Sequence, residues 1–303
     1  AASHTHSGPA SIDICSMGKN QELTSEIIQK AQQCAADAAN SMANASLRTA
    51  FSTFSHNANR RKRNWLGRTV IGVNLKGPVD QQLSCASITN TNAKILLVCY
   101  GCHPVINATS LESADYVAGI REFAGSAGFT GVLFLTGALG DVNPYDREKH
   151  CSLVGAGVDA ALDFGRQIAQ NVVSTLSVHK DDSTPQLAAT SSTLDVSLPS
   201  FQGGELARSL IVQSFALGRF VFVAYPGEIF AQSSLDLRRE TSKENLAVVS
   251  CANGYIGYVP PKGEYARGGY EIQGAPRLLG YQVPAGLAEK LQQVGADIAV
   301  SRA

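Results

Sequence analysis

His4 and His6 stand two residues apart in Ser3-His4-Thr5-His6-Ser7-Gly8-Pro9, just ahead of a Gly-Pro turn. Along an extended segment, side chains i and i+2 share a face, so both imidazoles are expected to enter one pocket. One ring would ligate a metal while the other carries a proton or donates to the ligand shell. The plainer alternative is a surface segment with two solvated histidines. Two more segments carry groups of the same kind. Cys102-His103-Pro104 follows the apolar run 95–100, which reads as a buried strand ending at Gly101. A second apolar run, 221–225, leads into Pro226-Gly227-Glu228, which sets a carboxylate at a strand mouth and in the first turn of a following helix. Open α/β sheets gather ligands outside the carboxyl ends of their strands. Singly, His103 reads as a core histidine and Glu228 as a charge complementing a helix dipole. Jointly, the two histidine segments and the glutamate match a hydrolytic zinc site with three protein ligands and water in the open position. Imidazole with carboxylate suits borderline-soft zinc, whereas a hard cation demands more oxygens.

The elements that must bring these segments together alternate between helical and strand patterns, with no internal repeat. Residues 24–42 are rich in Ala and Gln with apolar positions near helical spacing, and Thr24 is the expected N-cap. Strands are expected at about 45–55, 68–75, 82–90, 132–135, 187–198 and 246–250, with 187–198 alternating like an exposed or edge strand. Helices are expected at about 113–128, at 152–176, from Pro226-Gly227 to about 239, and from near 284 onward, with 181–185 as a polar loop. Interleaving of this kind predicts an α/β fold with mixed β-sheets flanked by helices. No strong linker divides the sequence, so 1–303 reads as a single large catalytic domain.

Composition sets the outer limits. At 303 residues and 44% hydrophobic content, the chain is long enough to bury a sizeable core. Lys plus Arg and Asp plus Glu are 25 each, so formal charge is zero and nucleic acid is not an expected partner. The basic run Arg60-Arg61-Lys62-Arg63 is short and reads as a solvated loop. No apolar stretch approaches the roughly 20 residues of a membrane span, and no charged-then-apolar leader is visible. The seven cysteines (15, 34, 85, 99, 102, 151 and 251) include one C-x-x-C, but Cys99 lies inside an apolar run. Buried structural thiols are expected there, not a redox pair or a disulfide framework. Ser110 and Ser113 lack a G-x-S-x-G elbow, which argues against a Ser-His-Asp hydrolase.

Two strand-end loops complete the set. Gly137-Ala138-Leu139-Gly140-Asp141-Val142-Asn143-Pro144 lets backbone approach a ligand while Asp141 and Asn143 orient polar groups; a simple glycine turn is the alternative. Asn253-Gly254-Tyr255-Ile256-Gly257-Tyr258-Val259-Pro260 continues through Glu264-Tyr265 to Gly268-Gly269-Tyr270-Glu271. Phenols in so glycine-rich a loop suit metal ligation, oxyanion donation or ring stacking, against the alternative of surface aromatics. Five motifs stand here in order: His-Thr-His-Ser-Gly-Pro, Cys-His-Pro, Gly-Asp-Val-x-Pro, Phe-Val-Ala-Tyr-Pro-Gly-Glu and the Asn-x-Tyr-x-x-Tyr…Glu-Tyr…Tyr-Glu loop. Together they resemble the neutral/alkaline ceramidase family, zinc-dependent amidases that split ceramide into sphingosine and fatty acid. The resemblance runs from Ser3 to about Gly280.

Carried over position by position, the resemblance implies zinc (Zn2+) held by His4, His103, Glu228 and Tyr258. It implies that His6 and Tyr270 hold or protonate a developing oxyanion, and that Arg60 belongs to the active site. Asn143 stands where the family's Gly-Asp-Val-Ser-Pro has its serine. An amide at that place can position water but cannot take over a hydroxyl's part in attack or proton transfer. The implied substrate is ceramide or a ceramide-like N-acyl lipid, cleaved at its amide by a metal-activated water. Smaller N-acyl amides or esters are one alternative, and a non-catalytic binding domain is another. The resemblance also implies a chain partial at its N-terminus, without the family's C-terminal immunoglobulin-like domain, and a secreted or cell-surface location.

Overall fold

Alternating burial along the apolar strands decides how this chain stacks. The computed structural model describes residues 1–12, 18–109, 111–182, 185 and 187–300, so Cys15, Ser110 and part of the 181–185 loop lie outside the described residues. In chain order the first elements are α1 (Gln21–Asn40), β1 (Ser46–Thr53), β2 (Asn57–Arg63), β3 (Thr69–Asn74), β4 (Gln82–Thr89), β5 (Lys94–Tyr100), α2 (Tyr116–Ser126), β6 (Gly131–Thr136), β7 (Val142–Asp146) and β8 (Cys151–Ser152). They are followed by α3 (Val158–Ser177), β9 (Leu187–Pro199), β10 (Glu205–Leu217), β11 (Phe220–Ala224), β12 (Glu228–Ile229), α4 (Ala231–Thr241), β13 (Leu246–Val249) and β14 (Tyr258–Val259). The chain closes with α5 (Lys262–Tyr265), a π-helical turn (Tyr270–Gly274), α6 (Ala275–Leu279) and α7 (Leu287–Val300).

One sheet has the order β1-β4-β5-β6, antiparallel except for the parallel β5/β6 pair. A second has the order β13-β11-β10-β9, with β11/β13 parallel. Successive β5 side chains point opposite ways. Leu96, Val98 and Tyr100 pack with Tyr116, Ile120, Phe164 and Ile168 of α2 and α3, while Leu97 and Cys99 meet Phe220, Ala224 and Val249 of the second sheet. β11 and β13 alternate likewise, sending Val223 and Val248 outward against Leu237 of α4 and Leu287 and Leu291 of α7. The outcome is a stack of helices, sheet, sheet and helices, the α/β fold with mixed sheets expected from the sequence. Each large side chain withdrawn from water on the two faces of β5 contributes about 1.5–3 kcal/mol, which fixes the strand end leading to His103. β5 and β6 also finish in close contact: a Cβ on Gly137 would lie 2.6 Å from Gly101 N, so the two strand ends approach as only glycine permits.

The third sheet, β3-β2-β7-β8, is antiparallel throughout, and the parallel pair β12/β14 follows directly from β11 through Pro226-Gly227. These small elements depart most from the sequence reading. The basic run 60–63 lies on strand β2, with Arg60 and Arg61 buried and only Lys62 and Arg63 exposed, so it is not a solvated loop. Its buried members are polar and pair with other polar groups, which leaves no apolar alternation to read. Glu228 does not open a helix. It sits on β12 in register with Tyr258, its amide donating to Gly257 O (2.8 Å), and α4 starts only at Ala231. Residues 253–280 contain β14, α5, the π-helical turn and α6, where a continuous loop was expected. α1 begins earlier than expected because Asn20, not Thr24, caps it, its side chain accepting from Leu23 N (3.0 Å). α3 begins later, at Val158, because Cys151 and Ser152 pair with Asp146 and Tyr145. β9 is indeed an edge strand. Cys85, Cys99, Cys102 and Cys251 are buried free thiols, whereas Cys34 and Cys151 are exposed. Among the described residues, no helix is long and apolar enough to cross a membrane.

Candidate functional site

His103 follows the end of β5 and is wholly buried. Its backbone amide and its ring Nδ1 both lie 3.1 Å from the carbonyl of Val142, the first residue of β7. Nδ1 must therefore carry the proton, which leaves Nε2 as an acceptor facing the site. The segment carrying His4 and His6 is not a strand. His4 adopts φ 65, and the bend this makes, not a strand pleat, brings the two rings to a centroid distance of 5.1 Å. Several bonds hold the segment: Ala2 N to Cys251 O (3.0 Å), Thr136 Oγ1 to Ala2 O (2.7 Å), Thr5 Oγ1 to Ser113 O (2.7 Å) and Ser7 Oγ to Asn107 O (2.8 Å).

Three imidazoles converge on one carboxylate. Ring centroids of His4 and His6 lie 5.2 and 5.8 Å from that of His103, and one ring nitrogen from each of the three falls within 4.8 Å of the others. Glu228 Oε2 lies 3.1 Å from His103 Nε2 and 3.6 Å from His4 Nε2. His4 Nε2 is buried without a hydrogen-bond partner among the described residues. The other Glu228 oxygen accepts from Tyr255 Oη at 2.6 Å. A proton between His103 and Glu228 would reconcile the close pair, but burial and the Arg60 guanidinium push the His103 imidazolium down to about 3. Burial by itself would raise the Glu228 carboxyl, yet His4, His103 and the Tyr255 hydroxyl outweigh it and hold the group well below the carboxylate range. His4 Nε2, His103 Nε2 and Glu228 Oε2 thus converge on one point. That arrangement fits a cation of nitrogen and oxygen preference.

Beside this cluster lies a buried arginine pair. Arg60 Nη1 is 3.2 Å from His103 Nε2, and Arg60 Nη2 is buried without a hydrogen-bond partner among the described residues. Arg60 Nε donates to Glu271 Oε1 (2.8 Å), while Arg61 Nη1 donates to Glu271 Oε2. Arg61 also donates through Nε to Glu264 (3.0 Å) and through Nη2 to Gly268 O (2.7 Å). Neighbouring strand residues ordinarily face opposite ways; here the β2/β3 register slips between Asn59 and Arg61, and such a bulge re-aims side chains. The Arg60 guanidinium carbon lies 5.3 Å from the Tyr258 ring centroid and 6.0 Å from that of Tyr270, and the two rings meet edge-on at 5.9 Å. Asp141 ties the surroundings together, accepting from Asn59 Nδ2 (2.6 Å) and from Ala231 N at the start of α4 (2.8 Å). Burial raises its carboxyl to about 6. Asn143 stands on β7 opposite Ala58, with its Oδ1 buried and without a partner among the described residues.

No sequence-family model and no curated protein matches the chain. Solved structures do. Neutral ceramidase from Pseudomonas aeruginosa matches with a TM-score of 0.77 at 16% identity, over 99% of this chain and 60% of that one. A structure described as ceramidase complexed with C2 matches at 0.76 and 15% identity, over 99% of this chain and 61% of that one. The fold is that of a neutral ceramidase. This chain spans about 60% of the length of the solved chains it matches.

Within the neutral ceramidase fold, the residues singled out from sequence lie together. His4, His6, His103 and Glu228 form the central cluster, Arg60 touches it, Tyr258 and Tyr270 flank Arg60, and Asn143 follows the carbonyl that orients His103. Four participants were not singled out. Tyr255 shares a loop with Tyr258 and nothing in their spacing says which phenol meets Glu228. Glu271 follows Tyr270 directly, and its partners are 210 and 211 positions away. The Val142 carbonyl is a backbone group with no sequence signal. Cys251, 3.8 Å from His4 Nδ1 through its sulfur, reads in sequence only as a buried thiol.

Proposed function

We propose that this chain is a zinc-dependent hydrolase that cleaves the amide bond of ceramide or a ceramide-like N-acyl lipid. The observation that carries the reading is the meeting of the His4 and His103 ring nitrogens with the Glu228 carboxylate beside the buried Arg60. The neutral ceramidase fold supports the substrate class. In this reading His4, His103 and Glu228 hold the metal, and Tyr258, in register with Glu228, fills the remaining protein position. Zinc bound there supplies a Lewis acid for the acyl carbonyl and a water whose pKa falls to about 7.

The chain's own residues do the rest. Val142 O fixes the His103 tautomer, and Tyr255 holds one Glu228 oxygen so that the other faces the imidazoles. Arg60, anchored through Nε by Glu271, offers Nη2 to the negative charge that grows on the carbonyl oxygen. Tyr270, 6.0 Å from the Arg60 guanidinium carbon at its ring centroid, is a further donor to that oxygen, and each such donor is worth roughly 3 kcal/mol of barrier. His6, the exposed member of the cluster, is placed to help hold the oxyanion or to protonate the leaving amine. Asn143 Oδ1 offers an acceptor to water or to a substrate N–H.

The test combines metal analysis of the purified chain with turnover of an N-acyl sphingosine, alongside His103→Ala. Stoichiometric zinc with fatty-acid release, both lost in the variant, is the expected result. Release from short acyl amides or esters alone would overturn the ceramide assignment. Absence of turnover on every acyl substrate by the zinc-loaded chain would overturn hydrolysis itself.

A further inference from the structure

Beyond that reading, we infer that the β2–β3 hairpin is a docking surface for an anionic lipid bilayer. Between Phe54 and Asp80 the sequence holds no acidic residue and six cations. Two of them, Arg60 and Arg61, are buried against carboxylates; Lys62, Arg63, Arg68 and Lys76 are exposed. A chain of zero formal charge thus concentrates an unopposed positive patch on one hairpin.

The tip adds apolar surface that nothing among the described residues covers. Trp65, the sole tryptophan, is 90% exposed and Leu66 is 55% exposed, with Ile71 and Leu75 exposed below them. Burying apolar side chains of this size is favourable, so leaving them in water calls for a reason. The exposure is built in. Asn64 Oδ1 accepts from Leu66 N and Arg68 N (3.0 Å each), Asn64 N donates to Arg68 O (3.0 Å), and Gly67 takes the left-handed φ of 74 that closes the turn. An indole and a leucine are therefore held outward on a preformed turn ringed by cations. Tryptophan with arginine or lysine is the chemistry of the headgroup layer, where the ring enters and the charges meet anionic lipid. Nucleic acid would use the cations but has no use for the aliphatic flank.

The tip end of the hairpin also borders the groove beside the site. Thr69 Oγ1 donates to Arg267 O (2.7 Å), and Thr69, Gly269, Tyr270, Gln273, Gly274 and Arg277 line an open groove of about 410 Å³. At about 3.3 Å per strand residue, the tip stands roughly 17 Å from Arg60, and Thr69 beside it lines the same groove as Tyr270.

The test needs no hydrolysis. Because Trp65 is the sole tryptophan, its emission reports the tip directly. With vesicles of phosphatidylcholine and phosphatidylglycerol, emission is expected to shift to the blue and to be quenched by lipids brominated on their acyl chains. Phosphatidylcholine alone or high salt should abolish the response. Sedimentation with anionic vesicles should fall roughly 30-fold in Arg63→Gln/Arg68→Gln, at about a factor of five per cation, and should also fall in Trp65→Ser. Both changes lie on exposed side chains, and circular dichroism confirms folding. An unshifted emission with anionic vesicles at low salt would overturn the inference. So would equal sedimentation of parent and variants, or tight binding to a single-stranded oligonucleotide without any vesicle response.

Discussion

Glu228 Oε2 and His103 Nε2 lie 3.1 Å apart although the imidazole has already committed its proton to Val142 O. Two lone pairs held that close favour positive charge beside them, and the Arg60 guanidinium, 3.2 Å from the same nitrogen, supplies part of it. Burial and Arg60 oppose supplying it as a proton. The metal reading follows from this pair more than from any count of histidines.

Replacing Tyr255 by Phe removes the 2.6 Å hydrogen bond that fixes Glu228 without touching the imidazoles. Outer-shell partners of this kind are worth 10- to 100-fold in metal affinity. Competition with a chromophoric chelator should show zinc held about 10- to 100-fold more weakly by Tyr255→Phe. Unchanged affinity would remove Tyr255 from the account.

His6 separates two assignments of one cluster. If it acts on the oxyanion or leaving group, His6→Ala keeps stoichiometric zinc and loses about 10²–10³ in kcat. Loss of the metal itself would make His6 a ligand, and its role here would have to be rewritten.

Glu271 faces two buried guanidiniums. Removing one member of a buried ionic set leaves uncompensated charge, at a cost of about 3–5 kcal/mol. Denaturant unfolding of Glu271→Gln should show a loss of that size. Arg61 keeps Glu264 as a second partner, so the loss should exceed that in Glu264→Gln, where the carboxylate is 20% exposed.

Asp141 makes a signed pH prediction. Burial raises its folded carboxyl to about 6 from 3.8, so between these values the folded state holds a proton that the unfolded state has released. Its contribution is present below about pH 4 and fades as pH rises through 6, amounting to about 3 kcal/mol. His103 runs the other way: lowered from 6.5 to about 3, it contributes stability above 6.5 that is lost as pH falls toward 3. Between pH 4 and 6 the two oppose each other. Stability of the chelated Asp141→Asn chain should therefore rise more steeply with pH over this window than that of the parent. Parallel curves would show that Asp141 titrates normally.

The layered core was legible because its strands are apolar runs: 95–100 and 221–225 announce β5 and β11, and 187–198 alternates as an edge strand does. The third sheet was not. β2 reads Asn-Ala-Asn-Arg-Arg-Lys-Arg, and its buried residues are stabilised by Asp141, Glu264 and Glu271, partners too distant in sequence to suggest a strand. His4 and His6 were found for the wrong reason, since a left-handed residue and not a strand pleat brings them together. Glu228 was likewise selected as a helix start and stands on a two-residue strand. Residue type singled out His4, His6, His103 and Glu228, whereas the pairings that bring them together run across the chain.

Zinc titration calorimetry on chelator-treated chain at pH 7, with Glu228→Gln run beside it, tests the central claim most directly. The convergence of His4, His103 and Glu228 predicts saturable uptake of one zinc per chain, abolished or weakened beyond measurement in the variant. A parent that takes up no zinc, or a variant that binds it as tightly as the parent, would contradict the account.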